Sequence, residues 1–162
     1  MRAIALFIAG TAVGLAANAV AQNSSLNHAV VGINHVAIAV PDVEKAVDYY
    51  TKTMGFPEAF RGRNAAGQVQ LVYVQVSKNT FIEIQSVSPE RPAGIYHFGV
   101  HVDNMREVTD MFKARGADVK PITVSGPTKA ILSNVVDPNG IRMELLELPP
   151  ESSHRQAMER WK

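Results

Sequence analysis

The chain has 162 residues, 46% apolar and 19% charged, which suits one globular domain with an adequate core. Its formal net charge is +1 and no segment gathers positive charge, so a nucleic-acid surface is not expected. It contains no cysteine, which excludes disulfides, thiolate ligands and a cysteine nucleophile and leaves His, Asp and Glu to build any metal site.

Residues 1–21 have the layout of a secretory signal peptide: Arg2, an apolar run over 3–17, and the small residues Ala19 and Ala21 before Gln22. The run is shorter than the ~20 residues a membrane-spanning helix needs, and Asn18 interrupts it. Cleavage after Ala21 is expected, with a periplasmic or secreted product that has no membrane anchor and carries 15 basic against 15 acidic side chains.

A polar leader over 22–30 precedes the folded part, expected at 31–148 in two modules, 31–87 and 95–148. In the first module, 33–40 predicts a strand that Pro41 ends. Residues 43–54 then predict a helix with Asp42 as N-cap, Val43, Ala46, Val47 and Tyr50 as the apolar stripe and Gly55 as the stop. Strands follow at about 58–63, 69–76 and 80–86. The second module repeats the plan with a strand at 96–102, a helix over 105–115 stopped by Gly116, and strands at about 118–124, 129–136 and 141–148. The remaining tail, 149–162, has Met158 and Trp161 near helical spacing and reads as a docking segment rather than a cofactor site. No role is expected for His28 or His154, because chain ends are usually loosely ordered.

The repeat brings four residues into correspondence. His35 and His97 are 62 residues apart and Glu83 and Glu144 are 61 apart, each histidine in the first strand of its module and each glutamate in the last. Strand alternation places Ala37 and Ala39 on the face of His35, and Gly99 and His101 on the face of His97, so small neighbours leave a hollow beside each ring. Mid-strand carboxylates want a counter-charge, because removing them from water costs several kcal/mol. Two imidazoles and two carboxylates suit one divalent ion such as Zn, Ni, Mn, Co or Fe. His101 is a candidate substrate contact on the same face, and Arg61, Arg63 and Arg142 are candidates for holding a substrate carboxylate.

The stretches Gly32-Ile33-Asn34-His35-Val36-Ala37-Ile38-Ala39-Val40-Pro41-Asp42, 46–55, His97-Phe98-Gly99-Val100-His101-Val102-Asp103-Asn104 and Asp137-Pro138-Asn139-Gly140-Ile141-Arg142-Met143-Glu144-Leu145 together resemble the vicinal oxygen chelate superfamily, that is, the glyoxalase, bleomycin resistance and dioxygenase fold. The resemblance covers about 31–148. It implies an α+β fold of two tandem βαβββ modules around a metal-containing cleft, with His35, Glu83, His97 and Glu144 as ligands, the quartet of bacterial glyoxalase I. Methylmalonyl-CoA epimerases are similar but typically have Gln at the position of Glu83. Ala39 stands where glyoxalase I has its glutathione-contacting Arg, so neither glutathione nor coenzyme A thioesters are specified. The expected activity is proton transfer beside a carbonyl, a lyase or isomerase reaction on a small oxygen-chelating substrate, with Glu144 and Glu83 as the proton-transferring groups. An Fe(II) extradiol-type dioxygenase and a non-catalytic resistance-type binding protein stay open as alternatives. The superfamily builds its sites both within one chain and across homodimers, and either is compatible with the sequence.

Overall fold

A computed structural model describes residues 29–162. The leader peptide expected at 1–21, the start of the polar segment after it and His28 lie outside the described residues. The first module runs β1 (Val30–Val40), α1 (Val43–Asp48), β2 (Glu58–Arg63), β3 (Val69–Ser77) and β4 (Thr80–Ser86). The second runs β5 (Gly94–Val102), α2 (Met105–Ala114), β6 (Thr123–Val124), β7 (Ile131–Val136) and β8 (Arg142–Glu147), and a last helix, α3 (Ser153–Arg160), closes the chain. The α+β arrangement of two βαβββ modules is therefore the fold.

Local chemistry sets the ends of these elements. Asp42 and Asn104 each cap their helix by accepting from the backbone N–H three residues on, both at 3.0 Å. Gly55 and Gly116 follow the two helical segments at φ +77° and +87°, in the left-handed region where a side chain would be strained. The helix expected over 43–54 is present, but its second half, Tyr49–Thr53, is a π-helical turn. The strand expected at 118–124 shrinks to Thr123–Val124, because Pro121 lacks an N–H for the ladder and leaves only an isolated bridge between Val119 and Val135. The next strand starts at Ile131 rather than 129, since Lys129 takes φ +61° at the end of the preceding turn.

The two four-stranded sheets join through antiparallel pairing of β1 with β5 into one sheet of order β2-β3-β4-β1-β5-β8-β7-β6. Within each module the first and last strands pair in parallel, and the repeat is kept in register: Glu83 pairs with Ala37 and Glu144 with Gly99, each two residues beyond its module's histidine. One face packs under the helices. Val47, Val72, Val74 and Ile84 form the core beneath α1, and Val100, Val102, Val108 and Leu145 the core beneath α2. The other face curls inward. There Tyr73, Phe81, Leu146 and Leu148 from both halves share one cluster with Ala157 and Met158 of α3. Complete burial of such side chains contributes roughly 1.5–3 kcal/mol each, so α3 is an integral wall of the curled face.

Candidate metal centre

The alternation read from the sequence holds in β1: His35, Ala37 and Ala39 are buried on the inner face at 0%, 0% and 2% exposure. His97 projects from β5 beside it, Glu83 from β4 and Glu144 from β8, and their donor atoms all lie within 4.8 Å of one another in a single chain. His35 Nε2 and His97 Nε2 are 3.0 Å apart. Glu83 Oε2 lies 3.3 and 3.4 Å from those two nitrogens, and Glu144 Oε2 lies 3.7 and 3.9 Å from them.

These spacings fit an ion. Neighbouring donors on bonds of about 2.1 Å stand roughly 3.0 Å apart in octahedral geometry and roughly 3.4 Å in tetrahedral geometry. Glu83 Oε2, moreover, is buried without a hydrogen-bond partner, although its carboxylate is charged. A buried anionic oxygen facing two imidazole nitrogens calls for a cation between them. His35 is also set up as a ligand by its other nitrogen: Nδ1 is 3.1 Å from the side-chain oxygen of buried Asn34. That oxygen can only accept, so the proton sits on Nδ1 and the lone pair on Nε2 faces the centre.

The electrostatics divide the four groups. Burial drives the His35 pKa down to about 4, with His97 and Arg142 adding to the effect against the attraction of Glu83, so the ring is neutral near pH 7. Burial pushes Glu83 up, but the rings of His97 and His35 and the amide of Gln85 outweigh it and hold the carboxyl near about 2. Glu144 moves the other way, to about 7, through burial and the charge of Glu83, with Arg142 opposing. Two adjacent carboxyls are thus pushed apart, one firmly ionised and one able to carry a proton at neutral pH.

A cavity of about 200 Å³ opens over this centre, lined on the polar side by Glu83, Gln85, Arg91, Tyr96, Arg142 and Glu144. Of the sequence candidates for substrate contact, only Arg142 lies there, its Nη2 2.5 Å from His97 Nδ1 and its guanidinium 4.6 Å from the Tyr96 ring centre. Arg61 is instead held on the helix side by Glu44 and Glu58, because it pairs with Val72, a residue of the core beneath α1. Arg63 donates to Gly67 O at 2.7 Å across its own hairpin. His101 is buried, but it is outside the cavity lining, and burial and Arg155 of α3 lower its pKa.

The sequence reading missed His154, Tyr73, Arg91 and Tyr96. His154 is wholly buried on α3, stacked 6.2 Å from the His35 ring and edge-on to Tyr73 at 4.5 Å, and it lines the cavity. Its signal was available: His154, Ala157, Met158 and Trp161 recur at i, i+3, i+4 and i+7, one helical stripe. Arg91 sits between the modules, where no periodicity singles it out.

A doubled βαβββ sheet curled around an inward His, Glu, His, Glu set defines a class of cleft-forming proteins. The chain belongs to the Glyoxalase/Bleomycin resistance protein/Dioxygenase superfamily, whose family model matches residues 32–145. It is 26% identical over 131 residues to a protein of Arabidopsis thaliana described as a probable chloroplastic lactoylglutathione lyase; the match takes in 72% of this chain but 35% of that one. It is 24% identical over 123 residues to the lactoylglutathione lyase of Escherichia coli O157:H7, covering 70% of this chain and 90% of that one. The fold is shared with methylmalonyl-CoA epimerase from Mycobacterium tuberculosis, with a TM-score of 0.66 at 19% identity over 75% of this chain and 91% of that one.

Proposed function

We propose that this protein is an exported, metal-dependent enzyme that moves a proton on a carbon beside a carbonyl, as a lyase or isomerase acting on a small oxygen-chelating substrate. The observation that carries the reading is the quartet His35, Glu83, His97 and Glu144, whose donor atoms gather within 4.8 Å around a charged, unpartnered Glu83 oxygen. The relatives described as lactoylglutathione lyases support the reaction class, and the N-terminal pattern at 1–21 supports export. A bound divalent ion supplies Lewis-acid stabilisation of the negative charge that develops on the substrate oxygens.

The protein's own groups do the rest. Glu83, held ionised, and neutral His35 are the firm side of the centre together with His97, with Asn34 fixing the His35 ring. Glu144 is the looser member, 3.7 and 3.9 Å from the ring nitrogens, which suits a carboxylate that leaves the ion to take and return a proton. Glu83, related to it by the repeat, would serve the opposite side of a bound substrate. Dioxygen chemistry at His35, His97 and Glu144 fits less well, because Glu83 stands closer to both rings than Glu144 does and takes the position oxygen would need.

Elemental analysis of the exported protein, purified from its native compartment, should find one divalent ion per chain. His35→Ala and Glu144→Ala should each lose most of it while retaining a cooperative thermal transition. Wild-type metal content in both variants would refute the centre, and intact Met1 on the exported species would refute cleavage at Ala21.

A further inference from the structure

The mouth of the cleft holds two cations that the metal centre does not use. Arg142 and Arg91 lie against the same ring, their guanidinium carbons 4.6 and 5.6 Å from the centre of Tyr96, and both line the cavity. Arg91 is oriented by one bond, Nε to Ser86 O at 2.8 Å, which leaves the outer edge of its fork unassigned. Among the described residues no carboxylate within ion-pair distance serves Arg91, and the nearest for Arg142 is Glu144 at 3.9 Å. Arg142 Nε is buried without a partner.

The charges do not close without an anion. A divalent ion is balanced by Glu83 and Glu144, and the two arginines then remain as surplus positive charge in a half-buried cleft. Arg142 Nη2 instead stands 2.5 Å from His97 Nδ1 and 3.2 Å from His97 Nε2, astride both ring nitrogens, a contact that supplies it no counter-charge.

We propose that Arg91 and Arg142, braced on Tyr96, form a carboxylate-binding site beside the metal centre, and that the substrate is a small 2-oxo or 2-hydroxy acid. The proposal rests on the metal-dependent reading above. Size agrees with it: the cavity of about 200 Å³ is below the range of about 300 Å³ and upward that encloses drug-sized ligands. Paired guanidinium groups on a planar ring also suit two-pronged recognition of a carboxylate.

The test uses the full exported chain loaded with Ni or Zn, with metal content measured in each preparation. Calorimetry compares 2-hydroxypropanoate with its neutral amide, 2-hydroxypropanamide, in wild type, Arg91→Gln, Arg142→Gln and Arg142→Lys. The acid should bind wild type more tightly than the amide, and each glutamine variant should shrink that preference about tenfold, the scale of a hydrogen bond to a charged partner. Arg142→Lys should recover only part of it. An acid-over-amide preference unchanged in Arg91→Gln and Arg142→Gln, with one metal bound throughout, would overturn the carboxylate site and leave the metal centre standing. Wild type that takes up no metal would overturn the parent reading.

Discussion

Gly99 offers the sharpest single perturbation of the centre. It lies in β5, pairs with His35 across the module boundary and with Glu144 within its own module, and has no side chain to obstruct the His35 ring. A Cβ built at Gly99 would sit 2.7 Å from His35 Nε2 and closer still to the Cε1 and Nδ1 atoms of that ring. Carbon contacts settle near 3.5–4.0 Å, so Gly99→Ala must move the ring by roughly 1 Å. Metal–ligand distances tolerate about 0.2 Å, so a displaced His35 no longer ligates in place. Disturbing a ligand's supporting partner costs about 10–100-fold in metal affinity, and moving the ligand itself should cost at least the upper end of that range. The accompanying overpacking should take about 1–3 kcal/mol from stability, less than the 5–15 kcal/mol of a typical domain, so the variant should still fold. Metal titration by calorimetry and thermal melts without metal measure the two effects separately. Gly126→Ala, where a Cβ meets nothing within 4 Å, is the control. If Gly99→Ala binds metal as tightly as that control, the ring does not occupy the described position.

Other expectations follow from the same geometry. His154 has a pKa lowered to about 3, below its unfolded value of 6.5, by burial and then by the His35 ring, so its charging opposes folding. Stability linked to it is present above pH 6.5 and is lost as pH falls toward 3; His154→Leu should outlast wild type in acid melts by up to about 1.4 kcal/mol per pH unit, and a gap that does not change with pH would refute this. Asn34→Leu removes the acceptor that fixes the His35 tautomer and should weaken metal binding about 10–100-fold with the fold intact; unchanged affinity would show that Asn34 does not orient the ring. Glu144→Gln should keep appreciable metal yet lose about 10²-fold or more in turnover of a 2-oxo or 2-hydroxy substrate, with exchange of the substrate's α-proton into deuterated water falling in parallel. Full turnover in that variant would remove Glu144 as the proton carrier.

The quartet was legible because the repeat writes the same residues twice at offsets of 62 and 61, and because alternation along β1 and β5 shows which residues share the histidine face. Local signals also placed the caps at Asp42 and Asn104 and the stops at Gly55 and Gly116. What failed was information held between elements. Nothing in the order of residues around Arg61 says that Glu44, on a helix 17 positions earlier, will hold it on the outer surface. His101 fell on the predicted face of β5, yet it lies beyond the cavity, beside α3 rather than the metal centre. Reading the tail as a docking segment with no role for His154 hid both facts, since the same helix carries His154 into the cleft.

The repeat also explains why the cleft is polarised although its ligands are symmetric. Phe81 and Arg142 occupy equivalent places, each two residues before its module's glutamate, and Gln85 and Leu146 are equivalent two residues after it. The His and Glu quartet is the same in both modules, while its immediate neighbours differ. At one end of the cleft, Phe81 joins Phe60, Tyr73 and His154 in an aromatic cluster whose ring centres lie 4.5–6.3 Å apart, and Leu146 of the second module packs in the same apolar cluster. At the other end, Arg142 and Tyr96 meet Arg91, with Gln85 of the first module lining the same cavity. On the proposed function, a substrate held at the centre would meet Tyr73, His154 and Leu146 at one end of the cavity and the guanidinium groups of Arg91 and Arg142 at the other. Reversing it would put a carboxylate against rings and the hydroxyls of Ser125 and Thr128, with no cation to pair it and both arginines left unpaired. On that reading the difference in environment would fix the orientation of the substrate at the centre.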